Sequence, residues 1–358
     1  MLELKLDKNI GDFKLDINET LDLTKNTALF GPSGSGKSTI LRLLAGFESA
    51  NGRIVLNNRV LLDTNTGRFI PPHKRNIGYL FQKSTLFNHL NVRENLNYAV
   101  KRDTKRKTRA FSLEAISKIL DLDHLMQRPT NKLSGGEIRR VALGQTLLTN
   151  PKILFLDEPL VGLDAKRKQE IIPYLKLIPK KFNIPLIYVS HSVDEITALT
   201  NQMLLLVKGK VIASGKTLEV MNGTPMQEVI ENQEAGVILE GKVEAHDSYY
   251  QLTQIKLSGQ TLVVPIKSFL KTGDTVKIKI RSRDVSVALS PPETSIRNMI
   301  EGQIVEMVSN QSSPNSELVI KISDQVLRAQ ITRFAANDMG LKVGTNIIAL
   351  IKSMGIES

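Results

Sequence analysis

The chain has 358 residues, 41% of them apolar, with no cysteine and a formal net charge of +12. That length accommodates about two domains, each with its own core. The lack of cysteine excludes disulfides and thiolate-held metal, and the five histidines show no paired zinc-type spacing.

No stretch approaches the ~18 consecutive apolar residues of a membrane span, and the N-terminus carries no signal-peptide core. The sequence therefore predicts a globular cytosolic protein. Met1–Lys8 alternates apolar and polar residues in the manner of an edge strand. Thr27–Phe30 reads as a short buried strand. It is followed by Gly31, Pro32, Ser33, Gly34, Ser35, Gly36, Lys37 and Ser38, which satisfy the phosphate-loop pattern G-x-x-x-x-G-K-[ST]. Glycines let the backbone N–H groups turn inward around phosphate. Lys37 adds a point charge for the β- and γ-phosphates, and the Ser38 hydroxyl can ligate Mg²⁺. Thr39–Ala45 continues as a helix whose N-terminal dipole faces the phosphates.

Ile77–Phe81 reads as another strand and ends at Gln82. The clearest basic cluster, Lys101–Arg109, has no interleaved aromatics and no recognition motif. Scattered charges are screened beyond about 8 Å at physiological salt, so the net +12 predicts no nucleic-acid partner. Leu133 then introduces Ser134, Gly135, Gly136 and Glu137 ahead of a helical pattern over Ile138–Leu148. This is a second helix start with bare N–H groups, readable either as an anion site or as a glycine-assisted cap. Lys152–Leu156 is an apolar run typical of a strand buried on both faces. It ends in Asp157, a candidate Mg²⁺ ligand, and Glu158, placed to polarise an attacking water. Pro185–Val189 ends likewise at Ser190 and His191, with His191 in reach of a γ-phosphate.

Together these motifs resemble the ATP-binding subunits of ABC transporters over roughly residues 1–230. The resemblance implies a head-to-tail homodimer with two ATP at its interface and a membrane permease as docking partner. In it, Lys37, Ser38, Gln82, Asp157, Glu158 and His191 of one copy face Ser134, Gly135 and Gly136 of the other. Gln82 bridges Mg²⁺ and an adjoining subunit, and Asp164 lies in the loop that crosses between copies. Three positions depart from the family's habit. Val161 stands where Ser is common, Gln145 where Arg is frequent, and Ile10 where an aromatic often stacks on adenine, leaving Phe13 as the alternative contact.

After Glu231–Gly236, a polar link, short alternating segments replace helices. Val237–Glu244, Tyr249–Leu257, Thr261–Val264 and Thr275–Arg281 read as strands; Pro291-Pro292 stops the run, and comparable strands follow to Ser358. Gly241–Val243 and Lys271–Val276 recur loosely as Gly302–Ile304 and Lys342–Ile347. Two related barrels, or one barrel with swapped strands, would produce this echo. Thr294, Ser295, Arg297 and Asn298, with Lys352 and Ser353, are similar to the molybdate-binding (Mop- or TOBE-like) barrel of molybdate importer ATPases. Hydroxyls and cations suit a tetrahedral dianion, since hydrogen bonds to charged groups are worth roughly 1.5–3 kcal/mol each.

The fold expected is therefore α/β. A P-loop ABC nucleotide-binding domain with a helical subdomain (1–230) precedes a small OB-like β-barrel regulatory domain (236–358), of which 291–358 would bind molybdate. The function expected is ATP hydrolysis, with Mg²⁺, powering import of molybdate or tungstate at the cytoplasmic face of the inner membrane. An external oxyanion-binding protein would complete the system. The rival readings are an importer ATPase for sulfate, a polyamine or a sugar, a soluble ABC ATPase of translation or repair, and an oxyanion store. The second lacks the tandem nucleotide domain or long coiled coil it would need. The third leaves the hydrolytic residues without a role.

Overall fold

The structure, a computed structural model, describes residues 1–82, 86–102, 111–229, 236–266, 270–309, 313–352 and 356–357. The basic cluster Lys101–Arg109 falls almost wholly outside them, as does Ser353. The chain divides into two compact units, Met1–Val220 and Met221–Ser358.

In the first unit, β1 (Leu2–Ile10), β2 (Phe13–Leu21) and β3 (Thr27–Phe30) lead into α1 (Lys37–Ala45). Then come β4 (Asn51–Leu56), β5 (Arg59–Asp63), β6 (Arg68–Phe69) and β7 (Ile77–Leu80), followed by α2 (Val92–Arg102), α3 (Leu113–Ile119) and α4 (Gly135–Leu148). β8 (Ile153–Asp157), α5 (Ala165–Phe182), β9 (Leu186–Val189), α6 (Val193–Leu199), β10 (Gln202–Val207) and β11 (Lys210–Lys216) complete it, and α7 (Thr217–Asn222) runs across the boundary.

The strands form one eleven-stranded sheet in the order β6-β5-β4-β1-β2-β11-β10-β3-β9-β8-β7. From β10 to β7 every pairing is parallel. β3, β8 and β9 are buried along their whole length, which explains their unbroken apolar runs. In this topology the carboxyl ends of the parallel strands deliver the phosphate loop, Gln82, Asp157–Glu158 and His191 to one edge. β1 alternates buried leucines with exposed Glu3 and Lys5, yet it is no edge strand: β2 and β4 pair on either side. The alternation reports a half-solvated antiparallel layer, which an interior strand shares with an edge.

In the second unit α8 (Thr224–Val229) precedes β12 (Gly236–Asp247), β13 (Leu252–Leu257), β14 (Gln260–Pro265), β15 (Thr275–Arg281), β16 (Val285–Ala288), β17 (Asn298–Ser309), β18 (Asn315–Ile322) and β19 (Gln325–Thr332). α9 (Arg333–Asp338), β20 (Asn346–Ile351) and β21 (Ile356–Glu357) follow. The strands make two five-stranded antiparallel sheets, β14-β13-β12-β15-β21 and β16-β20-β17-β18-β19. Val237, Leu239, Ile278 and Ile280 of one sheet share a core with Ile300, Ile304, Leu318 and Ile347 of the other.

Of the two arrangements compatible with the sequence echo, the structure adopts the exchanged one. β16 follows β15 in the chain but pairs with β20, while β21 follows β20 but pairs with β15. The halves match in detail. Gly273 N–H donates to Val243 O (2.8 Å), and Gly344 N–H donates to Ile304 O (2.7 Å). The Gln325 side chain holds both backbone groups of Glu240, and Gln260 holds both of Glu301. Two expectations fail locally. Tyr249 and Tyr250, read as strand, stand in the β12–β13 turn at 84% and 69% exposure, because Asp247 accepts both their N–H groups and closes the turn. Residues 333–338, read within a run of strands, are helical, with Thr332 capping Ala335 N–H.

Candidate functional site

The phosphate loop is built by conformations open to glycine. Gly31, Gly34 and Gly36 have φ of 149°, 77° and 101°. A Cβ on Gly31 would lie 2.0 Å from Leu206 O, so no larger residue fits. Lys37 Nζ donates to Gly31 O and Pro32 O, both at 2.8 Å. Burial lowers its pKa against the opposing pull of Glu158 and Asp157. Phe13 packs on the loop, its Cζ 3.1 Å from where a Gly36 Cβ would stand, while Ile10 is exposed on the hairpin.

Asp157, at the end of β8, is 8% exposed and has both oxygens engaged. Ser38 Oγ donates to Oδ1 and the Tyr79 hydroxyl to Oδ2, each at 2.9 Å. The pairing of Ser38 with one carboxylate gives the hard oxygen donors that hold Mg²⁺ beside phosphates. Those two residues therefore fit the ion.

Glu158 follows in the left-handed region, φ 46°, a conformation that costs a non-glycine residue roughly 1–3 kcal/mol and clusters at functional sites. Its N–H is fixed by Val189 O at 3.0 Å. Gln82 Nε2 donates to Glu158 Oε2 at 2.9 Å, and His191 Nε2 lies 2.7 Å from Oε1. The structure thus brings Lys37, Ser38, Gln82, Asp157, Glu158 and His191 to one place, with the Gln82 amide on the Glu158 side. Tyr79 escaped sequence reading. It sits on β7, and only the register Tyr79↔Phe155 sets it beside Asp157.

Ser134 caps α4 through a full capping box: Glu137 N–H donates to Ser134 Oγ, and Ser134 N–H donates to Glu137 Oε2 at 2.6 Å. Burial raises the Glu137 pKa, but the Ser134 hydrogen bonds and the Arg128 and Arg140 guanidiniums outweigh it, leaving the carboxyl below its usual range. Gly135 and Gly136 occupy the first turn, close to Leu163 and Arg167. Asp164 caps α5, accepting from Arg167 N–H at 2.9 Å. Gln145 donates to Asn95 O on α2, and Val161 is exposed.

In the second unit, Asn298 pairs with Ile351 across β17 and β20, so Arg297 and Lys352 flank that pair at the same end of the ladder. Both are exposed, as is Ser295; Thr294 is half-buried, and its Oγ1 accepts from Ile296 N–H. The two motifs singled out for an oxyanion therefore meet, as far as Lys352.

A family model described as ABC transporter matches residues 15–161, and one described as TOBE domain matches residues 294–356. The chain is 39% identical over 358 residues to the molybdenum import ATP-binding protein ModC of Pseudomonas savastanoi pv. phaseolicola, covering 99% of this chain and 98% of that one. To the ModC of Pseudomonas aeruginosa it is 38% identical over 358 residues, covering 99% of each. Among solved structures, a nucleotide-free ATP-binding cassette from an ABC transporter superposes with a TM-score of 0.54 at 26% identity, over 64% of this chain and 97% of that one.

Proposed function

The chain belongs to the ABC transporter ATP-binding proteins of the molybdenum import group, and from that premise we propose how its residues carry ATP-driven molybdate import. ATP lies with its phosphates on Gly31–Thr39, where Lys37 and the N-terminus of α1 meet the negative charge. Ser38 and Asp157 would hold Mg²⁺, with Gln82 beside them, and the ion would supply positive charge against the β- and γ-phosphates. Glu158 orients the attacking water, and His191, joined to Glu158, faces the γ-phosphate. Catalysis is positioning and charge stabilisation, without a covalent intermediate.

Ser134, Gly135 and Gly136 at the start of α4 serve the nucleotide held by a second copy, and Asp164 lies at the crossing. Closure of the dimer on ATP moves the surface beside Gln82, where Phe47 and Phe81 expose their rings against Tyr79 and offer a permease helix an apolar seat. An external oxyanion-binding protein delivers molybdate or tungstate to that permease at the inner membrane, with this chain on its cytoplasmic face. Thr294, Ser295, Arg297, Lys352 and Ser353 bind the same oxyanion and report its cytosolic level.

The observation that carries this reading is the convergence of Glu158, His191 and Gln82 within hydrogen-bond distance, from three strands. Glu158→Gln should reduce ATP turnover at least about 100-fold while trapping an ATP-bound dimer, read by gel filtration with and without ATP. Full turnover by a strictly monomeric sample would refute the reading. In a reconstituted transporter, ATPase should respond to external molybdate and tungstate; a response to sulfate alone would move the assignment to another oxyanion. Calorimetry on the full chain should show molybdate binding that Arg297→Ala weakens, and no heat would leave the second unit a structural role.

A further inference from the structure

Glu195 is the most heavily bonded carboxylate near the hydrolytic centre, and nothing in the scheme above uses it. It lies in the first turn of α6 with its side chain 5% exposed. Oε2 accepts from the Tyr188 hydroxyl at 2.8 Å and from Ser190 Oγ at 2.6 Å; Oε1 accepts from Lys168 Nζ at 2.9 Å. A buried carboxylate persists in such a place only when its acceptor sites are filled.

The partners come from two segments that are distant in sequence. Tyr188 and Ser190 belong to β9 and its end, immediately before His191, and Ser190 Oγ also accepts from Ser192 N–H at 3.0 Å, pinning the turn that carries the histidine. Lys168 lies one turn into α5, and its N–H donates to Asp164 O at 3.0 Å. Hydrogen bonds thus link Asp164 through Lys168 and Glu195 to Ser190, the peptide bond carries the link on to His191, and His191 meets Glu158.

We propose that Glu195 is a positioning residue that ties the Asp164 loop to His191, so that engagement of Asp164 by a second copy sets the orientation of the histidine at Glu158. The proposal rests on the hydrolytic roles assigned above. The Lys168 ammonium is a single charge on a flexible stem, and its bond to Glu195 links the two segments without locking them rigidly. Movement of the start of α5 therefore reaches the turn at Ser190 through one carboxylate.

The test uses the full-length chain and compares Glu195→Gln with Lys168→Met, whose side chain is 32% exposed and whose replacement leaves the Tyr188 and Ser190 bonds to Glu195 in place. Both should lower kcat about tenfold with KM for ATP within about twofold, because binding is untouched and only the hydrolytic geometry is lost. The Hill coefficient for ATP should fall towards one, a change that simple destabilisation does not produce. Lys168→Arg should recover most of the rate. Combined with His191→Ala, Glu195→Gln should add no further loss, since the two act as one unit. Full kcat and an unchanged Hill coefficient in Lys168→Met would overturn the proposal, as would a loss that adds fully to that of His191→Ala. If the unaltered chain showed no hydrolysis, the assigned function itself would fail, which is a separate result.

Discussion

Asp157 shows how little freedom the carboxylates at the end of β8 have. With Ser38 on one oxygen and Tyr79 on the other, its plane is set before any ligand arrives. The Tyr79 phenol is pushed above its ordinary pKa by burial and by the charge of Asp157, so it stays a donor across the physiological range. Tyr79→Phe keeps the ring among Phe47, Phe81 and Phe155 and deletes only the donor. It should raise the Mg²⁺ concentration for half-maximal ATPase by about tenfold, or ~1.4 kcal/mol, near the lower end of the roughly 1.5–3 kcal/mol of a hydrogen bond to a charged group. The ratio of variant to parent should be flat between about pH 6 and 9, since a phenol ordinarily titrates near pH 10 and this one titrates higher. A Mg²⁺ titration matching the parent's would show that Ser38 alone orients Asp157. At this scale the sequence disclosed Lys37, Ser38, Asp157 and Glu158, because their spacing is local: loop to helix, strand end to next residue. Tyr79 and Glu195 were hidden because each gains its partners by lateral contact, across the β7–β8 register and from α6 back to α5.

Among the elements, α4 carries a dual assignment that the sequence left open, and its geometry settles one half. The capping box is present, so Ser134 and Glu137 stabilise the helix start whatever else they do. Removing the charge of one arm with Glu137→Gln, whose amide oxygen can still accept from Ser134 N–H, should cost roughly 0.3–1 kcal/mol at neutral pH. The sign of its pH dependence follows from the depressed pKa. Stability supplied by Glu137 is complete above the unfolded carboxyl value of about 4.3 and is lost as pH falls through the lower folded value. The gap between parent and variant, measured by urea denaturation, should therefore close below about pH 4. A gap that widened on acidification would mean the carboxylate is held by something other than its cap. The same element scale explains β1. Its alternation was legible and its neighbours were not, because period two reports one wet face and is blind to which strands pair alongside. The turn at Tyr249–Tyr250 was missed for a related reason: two aromatics read as strand formers, while the Asp247 carboxylate that closes the turn precedes them.

Across the second unit, the exchange of β16 and β21 makes the two sheets a single folding unit. Each half closes its sheet with a strand that the chain supplies beyond the other half, and the cores are continuous. The sequence echo hinted at this, since Gly241 and Gly302 recur at matching places, but only pairing reveals which half owns which closing strand. Those glycines test the consequence. A Cβ on Gly241 would stand 2.6 Å from Ile255 Cγ2 and 2.9 Å from Lys256 O; on Gly302 it would stand 2.6 Å from Ile320 Cγ2 and 2.8 Å from Lys321 O. Neither backbone oxygen can retreat without breaking its ladder, so alanine at either site overpacks the core by about 1–3 kcal/mol. In a unit with exchanged strands, Gly241→Ala and Gly302→Ala must lower one shared unfolding transition of Met221–Ser358 by similar amounts, although each lies in a different sheet. Two separable transitions in urea, each moved by only one substitution, would show halves that fold independently and would contradict the exchange.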